Sequence, residues 1–328
     1  MMKDMIPGFE LYQPVEVDRA IELLGEFGKD GWALAGGYDS LDWMKNRGKR
    51  PEAVIDLDGL DALKGITETA DGIEIGALTT LTEVERNPII RERFSILGDA
   101  ARKVASPQIR NAGTIGGNVC QDTRCWYYRY GVSCYRAGGN TCYASAPEAL
   151  NREHAIFEAS RCVAVTPSDT GPVLVTLDAE MVVRNGSGER VIPAEDFFMG
   201  PAVDIERMTV LDPGDLLISI RVPNTWAGAD FYFEKVTDRN SWDFALVSVA
   251  AALRTNGDQI EDARIVCGAV QCTPKRLHGV EAMLRGQSRT EDLAERAGAA
   301  AIEGAEALNY NHYKIPLMEN LVKRAVRG

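Results

Sequence analysis

The stretch Asn111-Ala112-Gly113-Thr114-Ile115-Gly116-Gly117-Asn118 decides how the rest of the chain is read. Its glycines let the backbone approach a ligand without a Cβ clash, and Thr114 and Asn118 add side-chain hydrogen bonds. Upstream, Ala35-Gly36-Gly37-Tyr38-Asp39-Ser40 joins the short apolar run WALAG to the helical pattern SLDWMKNR. Such a strand-to-helix turn aims backbone N–H groups and a helix N-terminus at one point, where a phosphate can be held. Either loop alone is compatible with a purely steric Gly-Gly turn. The pair points to a diphosphate site, and the lack of Lys in both loops means that local N–H dipoles, not net charge, would do the binding.

Around these loops the pattern is mixed. Residues 15–27 have helix-spaced apolar positions, and WALAG and AVIDL read as short buried strands, so the first 57 residues form a small α/β unit. GIEIG is a further strand, followed by a helix in which Thr82 and Glu85 are spaced as a capping box and by a longer helix from about Ile89 to Val104. PVLVTLDAEMVVR, ERVIP and LLISIRVP read as alternating strands, with Asn185-Gly186-Ser187 as a hairpin turn. After the break at VPNTWAGAD come three extended runs, DFYFEKVT, DFALVSVAAALR and IEDARIVCGAVQC. Helices near 277–285, 290–307 and 312–327 follow, which suggests an antiparallel sheet with helices on one face.

The chain of 328 residues, 45% hydrophobic and 26% charged, is long enough for two or three domains and a real core. Its net charge of −12 and the absence of Lys/Arg runs argue against nucleic acid or an anionic membrane as partner. No segment has the length of apolar sequence that a membrane span needs, and the acidic start does not resemble a signal peptide, so a cytoplasmic location is expected. The signatures of Rossmann dehydrogenases, P-loop NTPases, zincins and serine hydrolases are missing. His154, His278 and His312 are most simply surface or structural residues.

Between Ser106 and about Thr170 the periodicity dissolves into Gly, Cys, Tyr, Arg and Asn, so something other than a core must order the segment. Five of the seven cysteines, Cys120, Cys125, Cys134, Cys142 and Cys162, fall within 43 of these residues. Cys267 and Cys272 lie in an apolar run and read as small buried hydrophobes. From Cys125 onward the separations are 9, 8 and 20. None is the C-x-x-C step of common zinc or ferredoxin sites, which leaves free thiols, zinc and an iron–sulfur cluster all open.

AGGYDS together with PQIRNAGTIGGN resembles the two FAD loops of the molybdenum hydroxylase flavoprotein subunits, the medium subunits of the carbon monoxide dehydrogenase and xanthine dehydrogenase family. The likeness covers nearly the whole chain. Most members pass almost directly from the second loop to a segment like Thr166–Ala179, whereas here about 45 residues intervene and carry the cysteines. NVCQDTRCWYY and the later cysteines resemble the branch of β subunits of 4-hydroxybenzoyl-CoA reductases, in which an inserted loop holds a 4Fe-4S cluster.

The resemblance implies an α+β fold: a two-part FAD-binding α/β region of the PCMH type, then a C-terminal domain of antiparallel sheet with helices. The divisions expected are 1–57, 58–223 with the Cys-rich insert at about 119–165, and 224–328. For FAD it implies Ala35, Gly36, Gly37, Tyr38, Asp39, Ser40, Thr114, Ile115, Gly116, Gly117 and Asn118 at the diphosphate and neighbouring groups, with Ala105 lining the same site. Asp169 matches an acid on the ribose or adenine side and Lys235 a lysine near the flavin, although a turn cap and a solvated strand residue are their alternatives. Tyr38 stands where many relatives carry a smaller hydroxyl residue. The implied cluster ligands are Cys125, Cys134, Cys142 and Cys162. The family's last arm is shorter, which makes Cys120 the rival of Cys162.

The implied function is electron transfer between an external carrier, 4Fe-4S, FAD and the 2Fe-2S and molybdenum centres of partners. Those partners are a large molybdopterin subunit and a small 2Fe-2S subunit, in a dimer of heterotrimers served by a ferredoxin-like carrier. The implied reaction, in the molybdenum subunit, is reductive dehydroxylation of 4-hydroxybenzoyl-CoA or a similar aromatic acyl-CoA. The alternatives are a conventional hydroxylase flavoprotein that uses NAD or another acceptor, and a zinc-stabilised binding module without catalysis.

Overall fold

The computed structural model describes residues 5–327; residues 1–4, part of the stretch read for a leader, and residue 328 lie outside the described residues. The first unit contains strands β1 (Glu10–Tyr12), β2 (Gly31–Leu34) and β3 (Ala53–Asp56) with helices α1 (Val17–Phe27) and α2 (Tyr38–Lys45). The strands form a parallel sheet in the order β1-β3-β2. Parallel neighbours need crossovers, and α1 and α2 supply them. Helix α1 buries Ala20, Ile21, Leu23 and Leu24, its apolar stripe, in one cluster with Ala53 and Ile55 of β3.

The second unit opens with β4 (Ile66–Glu68) and β5 (Gly72–Gly76) and the helices α3 (Leu81–Arg86), α4 (Pro88–Arg93) and α5 (Ser95–Arg102). The short helices α6 (Pro107–Arg110), α7 (Ile115–Val119), α8 (Trp126–Arg129) and α9 (Gly171–Thr176) follow. Then come β6 (Glu180–Asn185), β7 (Gly188–Pro193), α10 (Ala194–Phe197) and β8 (Leu216–Pro223). Its antiparallel sheet has the order β4-β5-β8-β6-β7. Asn185 pairs with Gly188, so Gly186-Ser187 is a two-residue hairpin turn, as the sequence predicts.

The C-terminal unit has β9 (Asp230–Val236), β10 (Val247–Asn256), β11 (Gln259–Gly268) and β12 (Lys275–Arg276), in the order β12-β11-β10-β9, with α11 (His278–Leu284), α12 (Glu291–Ala301) and α13 (Lys314–Arg327). Successive side chains of β10 face opposite ways. Val249, Ala251 and Leu253 pack with Leu293, Leu321 and Val322 of the helices, while Ala250 and Ala252 join the core of Phe94, Leu97 and Val173 in the second unit. The sheet is thus covered on both faces, which welds the C-terminal unit to the second unit. The α+β architecture is the one expected. Among the described residues no helix is long and apolar enough to cross a membrane.

Three local expectations are corrected. The capping box is Thr80 with Glu83, two residues earlier than Thr82 and Glu85. Thr82 instead donates to Asn111 Oδ1 (2.8 Å) and Glu85 accepts from Arg110 (3.2 Å), so both reach toward the second glycine loop. The long helix from Ile89 to Val104 is two helices, broken at Phe94 (φ −136°, ψ 46°). The break lets Ile90, Phe94, Ile96 and Leu97, all fully buried, face one core. PVLVT is the helix α9 and not a strand, because a continuous apolar run buried on all sides is compatible with either and the packing between two sheets selects the helix.

Because Phe94 is both the break and a core residue, Phe94→Ala is expected to lower stability by about 3–5 kcal/mol. Urea unfolding of the variant beside the wild type measures this; an unchanged midpoint would refute the assignment.

Candidate functional site

The two glycine loops lie against each other. A Cβ on Gly36 would stand 2.2 Å from the carbonyl oxygen of Ala112, and one on Gly117 would stand 3.8 Å from the Cβ of Ala35. Gly37, at φ +82°, turns β2 into α2 in the left-handed conformation that favours glycine. The first intrahelical acceptor is Gly37 itself, bonded by Leu41 N (2.9 Å). The N–H groups of Tyr38, Asp39 and Ser40 are therefore those of an opening helical turn, the group that a helix leaves for an outside acceptor.

The second loop differs from the sequence expectation. Ile115 N donates to Thr79 O, Gly116 N to Ala77 O and Asn118 N to Thr114 O, each at 2.9 Å, and Gly117 N donates to Thr114 Oγ1 (3.0 Å). These N–H groups serve the fold, so anion-directed dipoles are concentrated in the first loop. Gly116 is required because a Cβ there would meet Ala77 O at 2.7 Å. Asn118 is a buried hub: its Oδ1 accepts from Ser168 Oγ (2.8 Å) and Thr170 Oγ1 (2.6 Å). It thereby fixes the segment that carries Asp169.

Asp169 and Lys235 form a buried ion pair at 2.6 Å, with Lys235 Nζ also donating to Lys103 O (3.0 Å) and Asp243 O (2.8 Å). Lys235 is not the solvated strand residue that the sequence alone leaves possible. Burial raises the Asp169 carboxyl above its ordinary range in spite of Lys235. Two residues beyond Lys103, Ala105 has a positive φ of 42°, and its carbonyl accepts from Trp242 N (2.7 Å) and Ser241 Oγ (3.2 Å). Loop to loop, Asn118 to Ser168, and Asp169 to Lys235, the residues singled out for FAD form one continuous set spanning all three units. Tyr38, half exposed, donates to Gln108 O (3.4 Å), across the loops.

Asp39 faces elsewhere. It accepts from Arg124 Nη1 (2.7 Å), Arg129 Nη1 (3.0 Å) and Trp43 Nε1 (3.2 Å), while Asp42 pairs with the same two arginines. The Arg129 guanidinium lies 4.1 Å over the Trp43 ring, and Trp43 meets Tyr128 edge to face at 5.0 Å. The Cys-rich insert is thus clamped to the helix of the first glycine loop. Sequence reading missed these arginines; a cluster of Arg124, Arg129, Arg136, Arg152 and Arg161 in a chain of net charge −12 was the available signal.

Cys125, Cys134, Cys142 and Cys162 line one cavity together with Tyr128 and Arg136. Cys120, the C-cap of α7, is not among its walls. Among the described residues no group of three or more His, Cys, Asp or Glu side chains is arranged to hold a metal ion. His154, which sequence reading left as structural, puts Nε2 3.2 Å from Cys125 Sγ. Burial, with Lys314 nearby, pushes its ring down to about 4, so it is neutral at pH 7 and can donate to the sulfur from Nε2. Cys272 is buried as expected but also accepts from Arg136 Nη2 (3.1 Å). A second cavity of about 400 Å³ adjoins the first. Cys125 and Ala164 form walls of both, and Asp169, Trp242 and Ser248 line the second alone.

Comparison with known proteins gives concordant findings. Residues 7–225 match the family described as FAD binding domain in molybdopterin dehydrogenase, and residues 232–328 the CO dehydrogenase flavoprotein C-terminal domain. The chain is 31% identical to the carbon monoxide dehydrogenase medium chain of Hydrogenophaga pseudoflava, over 98% of this chain and 97% of that one. It is 35% identical to the FAD-binding subunit of an Escherichia coli aldehyde oxidoreductase, over 76% of this chain and 78% of that one. A solved carbon monoxide dehydrogenase from H. pseudoflava, lacking the Mo-pyranopterin moiety of its cofactor, superimposes with a TM-score of 0.79 at 29% identity, covering 98% of this chain and 97% of that one.

The contact of Gly36 with Ala112 gives a direct test. Gly36→Ala must push the loops apart and is expected to leave less than half of the purified chain with bound FAD. Gly25→Ala, where no heavy atom lies within 4 Å of the new Cβ, is expected to keep it. The ratio of flavin to protein absorbance reads both, and full FAD retention in Gly36→Ala would count against the site.

Proposed function

The chain belongs to the FAD-binding medium subunits of the molybdenum hydroxylase family, and from that premise we propose that it is an electron-relay subunit carrying a 4Fe-4S cluster besides its FAD. The observation that carries this reading is the single cavity walled by Cys125, Cys134, Cys142 and Cys162. Bound FAD supplies exchange between two-electron and one-electron chemistry, and the cluster supplies one-electron transfer. The chain's own residues hold, space and shield these groups. Gly36, Gly37, Tyr38, Asp39 and Ser40 with Ala35 form the diphosphate turn; Thr114, Ile115, Gly116, Gly117 and Asn118 back it; Ala105, Asp169 and Lys235 close the side toward the C-terminal unit. The four cysteines are the cluster ligands, and His154 directs a hydrogen bond at Cys125. Since Cys125 is also a wall of the adjoining cavity, the cluster site stands one side chain away from that space.

We read the chain as units 1–57, 58–223 with the insert at about 119–165, and 224–328, working in the cytoplasm beside a large molybdopterin subunit and a small 2Fe-2S subunit in a dimer of heterotrimers. A ferredoxin-like carrier delivers electrons to the insert, and the molybdenum subunit carries out reductive dehydroxylation of 4-hydroxybenzoyl-CoA or a similar aromatic acyl-CoA. This finer assignment rests on the insert that distinguishes that branch of the family. The second reading, a conventional hydroxylase flavoprotein with another acceptor at FAD, is favoured by the relatives named above, a carbon monoxide dehydrogenase and an aldehyde oxidoreductase.

Iron separates the two readings. The full chain purified anaerobically is expected to hold one FAD with about four irons and four acid-labile sulfides, and to give an EPR signal on dithionite reduction. Cys134→Ser and Cys142→Ser should each lose iron and keep FAD, while Cys120→Ser should keep both. Wild-type chain with FAD but without iron, even after anaerobic reconstitution, would establish the conventional reading.

A further inference from the structure

Arg136 is anomalous for a residue inside a protein. Its side chain is 1% exposed and borders the thiol cavity, and its Nε has no hydrogen-bond partner. Nη1 donates to Glu206 O (3.1 Å) and Nη2 to Cys272 Sγ (3.1 Å), both uncharged acceptors. The carboxylate paired with it, Asp122, stands 3.9 Å away. That carboxylate is already engaged by Lys49 (3.3 Å), the Tyr128 hydroxyl (3.1 Å) and Thr123 N (2.7 Å). Burial pushes the Cys272 thiol up to about 12, so it adds no negative charge at neutral pH. Burial works against the charged guanidinium, the neighbouring Cys272, Cys162 and Asp122 favour it, and a further anion at the cavity would strengthen that balance.

A further anion is what the proposed cluster would bring. A four-iron cube with four thiolates is a dianion when oxidised and a trianion when reduced, and Arg136 lies two residues from Cys134 and adjoins Cys162. On the reading that the cavity holds this cluster, we infer that Arg136 is its buried counter-charge, a positioning residue that favours the reduced cluster and sets its potential higher than the cysteines alone would. Reduction adds one electron to the cluster and moves no other charge in the site, so the attraction to a fixed guanidinium is stronger after the electron arrives than before. Asp122 acts with the opposite sign, because its carboxylate screens Arg136.

The inference therefore requires two shifts of opposite direction. The experiment is an EPR-monitored redox titration of the full chain with its FAD bound, for wild type, Arg136→Gln, Arg136→Lys and Asp122→Asn, with iron counted in each. Arg136→Gln is expected to disfavour reduction at least tenfold, a fall in potential of about 59 mV for one electron. Arg136→Lys should stay near wild type, and Asp122→Asn should move the potential upward. Wild type without iron refutes the cluster reading itself. With four irons in the wild type, an unchanged potential in Arg136→Gln, or an unchanged or lower one in Asp122→Asn, overturns the counter-charge role. If Arg136→Gln loses its iron, a wild-type potential in Arg136→Lys with a raised one in Asp122→Asn sustains the role. Loss of iron from all three variants overturns it, since Arg136 and Asp122 would then be residues of the fold.

Discussion

The carboxylate of Asp39 joins the helix of the first glycine loop to the Cys-rich insert. It sits on the first turn of α2, directly after the Gly36-Gly37 bend, and accepts from Arg124 and Arg129 of the insert. Arg129 is nearly buried, so its charge must be met inside the protein, and Asp39 and Asp42 meet it while Trp43 covers the guanidinium face. Movement of either partner would leave charges poorly paired in a half-buried site, which is what makes the contact a constraint and not a surface embellishment. The first glycine loop and the insert are held against each other by it.

The insert has little else to order it. Between α7 and α9 its regular structure amounts to α8 and two single turns of 3₁₀ helix. Fixing each backbone residue costs about 1–2 kcal/mol of conformational entropy, and a segment of this kind recovers little from a core of its own. The compensation visible in the fold comes from Ile156 and Phe157 in the core of the C-terminal unit and from polar anchoring: the arginine lattice on α2, Asn311 reaching the carbonyls of His154 and Ala155, and Lys314 reaching those of Glu153 and Ala269. Asn311 and Lys314 belong to the C-terminal unit, so the insert is gripped from both sides. A covalently ligated cluster would add four further tethers at Cys125, Cys134, Cys142 and Cys162.

The same segment shows how far a linear reading reaches. The grouping of five cysteines was plain, and so was the presence of two glycine loops. Which of Cys120 and Cys162 faces the other three thiols was not, because that depends on where a chain of 20 residues returns, and its return is set by contacts with the C-terminal unit. The second loop was read as a donor of N–H groups to a ligand, yet Thr79 and Ala77 take them, residues whose nearness follows from the sheet and not from any motif. Likewise Thr80 caps α3 in place of Thr82, because Thr82 is drawn to Asn111.

Sequence alone determined what depends on local chemistry: the α+β alternation, the hairpin at Gly186-Ser187, the two glycine turns, the family likeness and the concentration of thiols. Each follows from side-chain period, backbone freedom or residue type, which act over a few residues. Only the tertiary structure decided the rest: the break at Phe94, the helix at PVLVT, the pairing of Asp169 with Lys235, the approach of His154 to Cys125, and the isolation of Arg136. Those outcomes are settled by burial and by the cost of unmatched charge, and both are properties of a place in the folded molecule that no single stretch of chain contains.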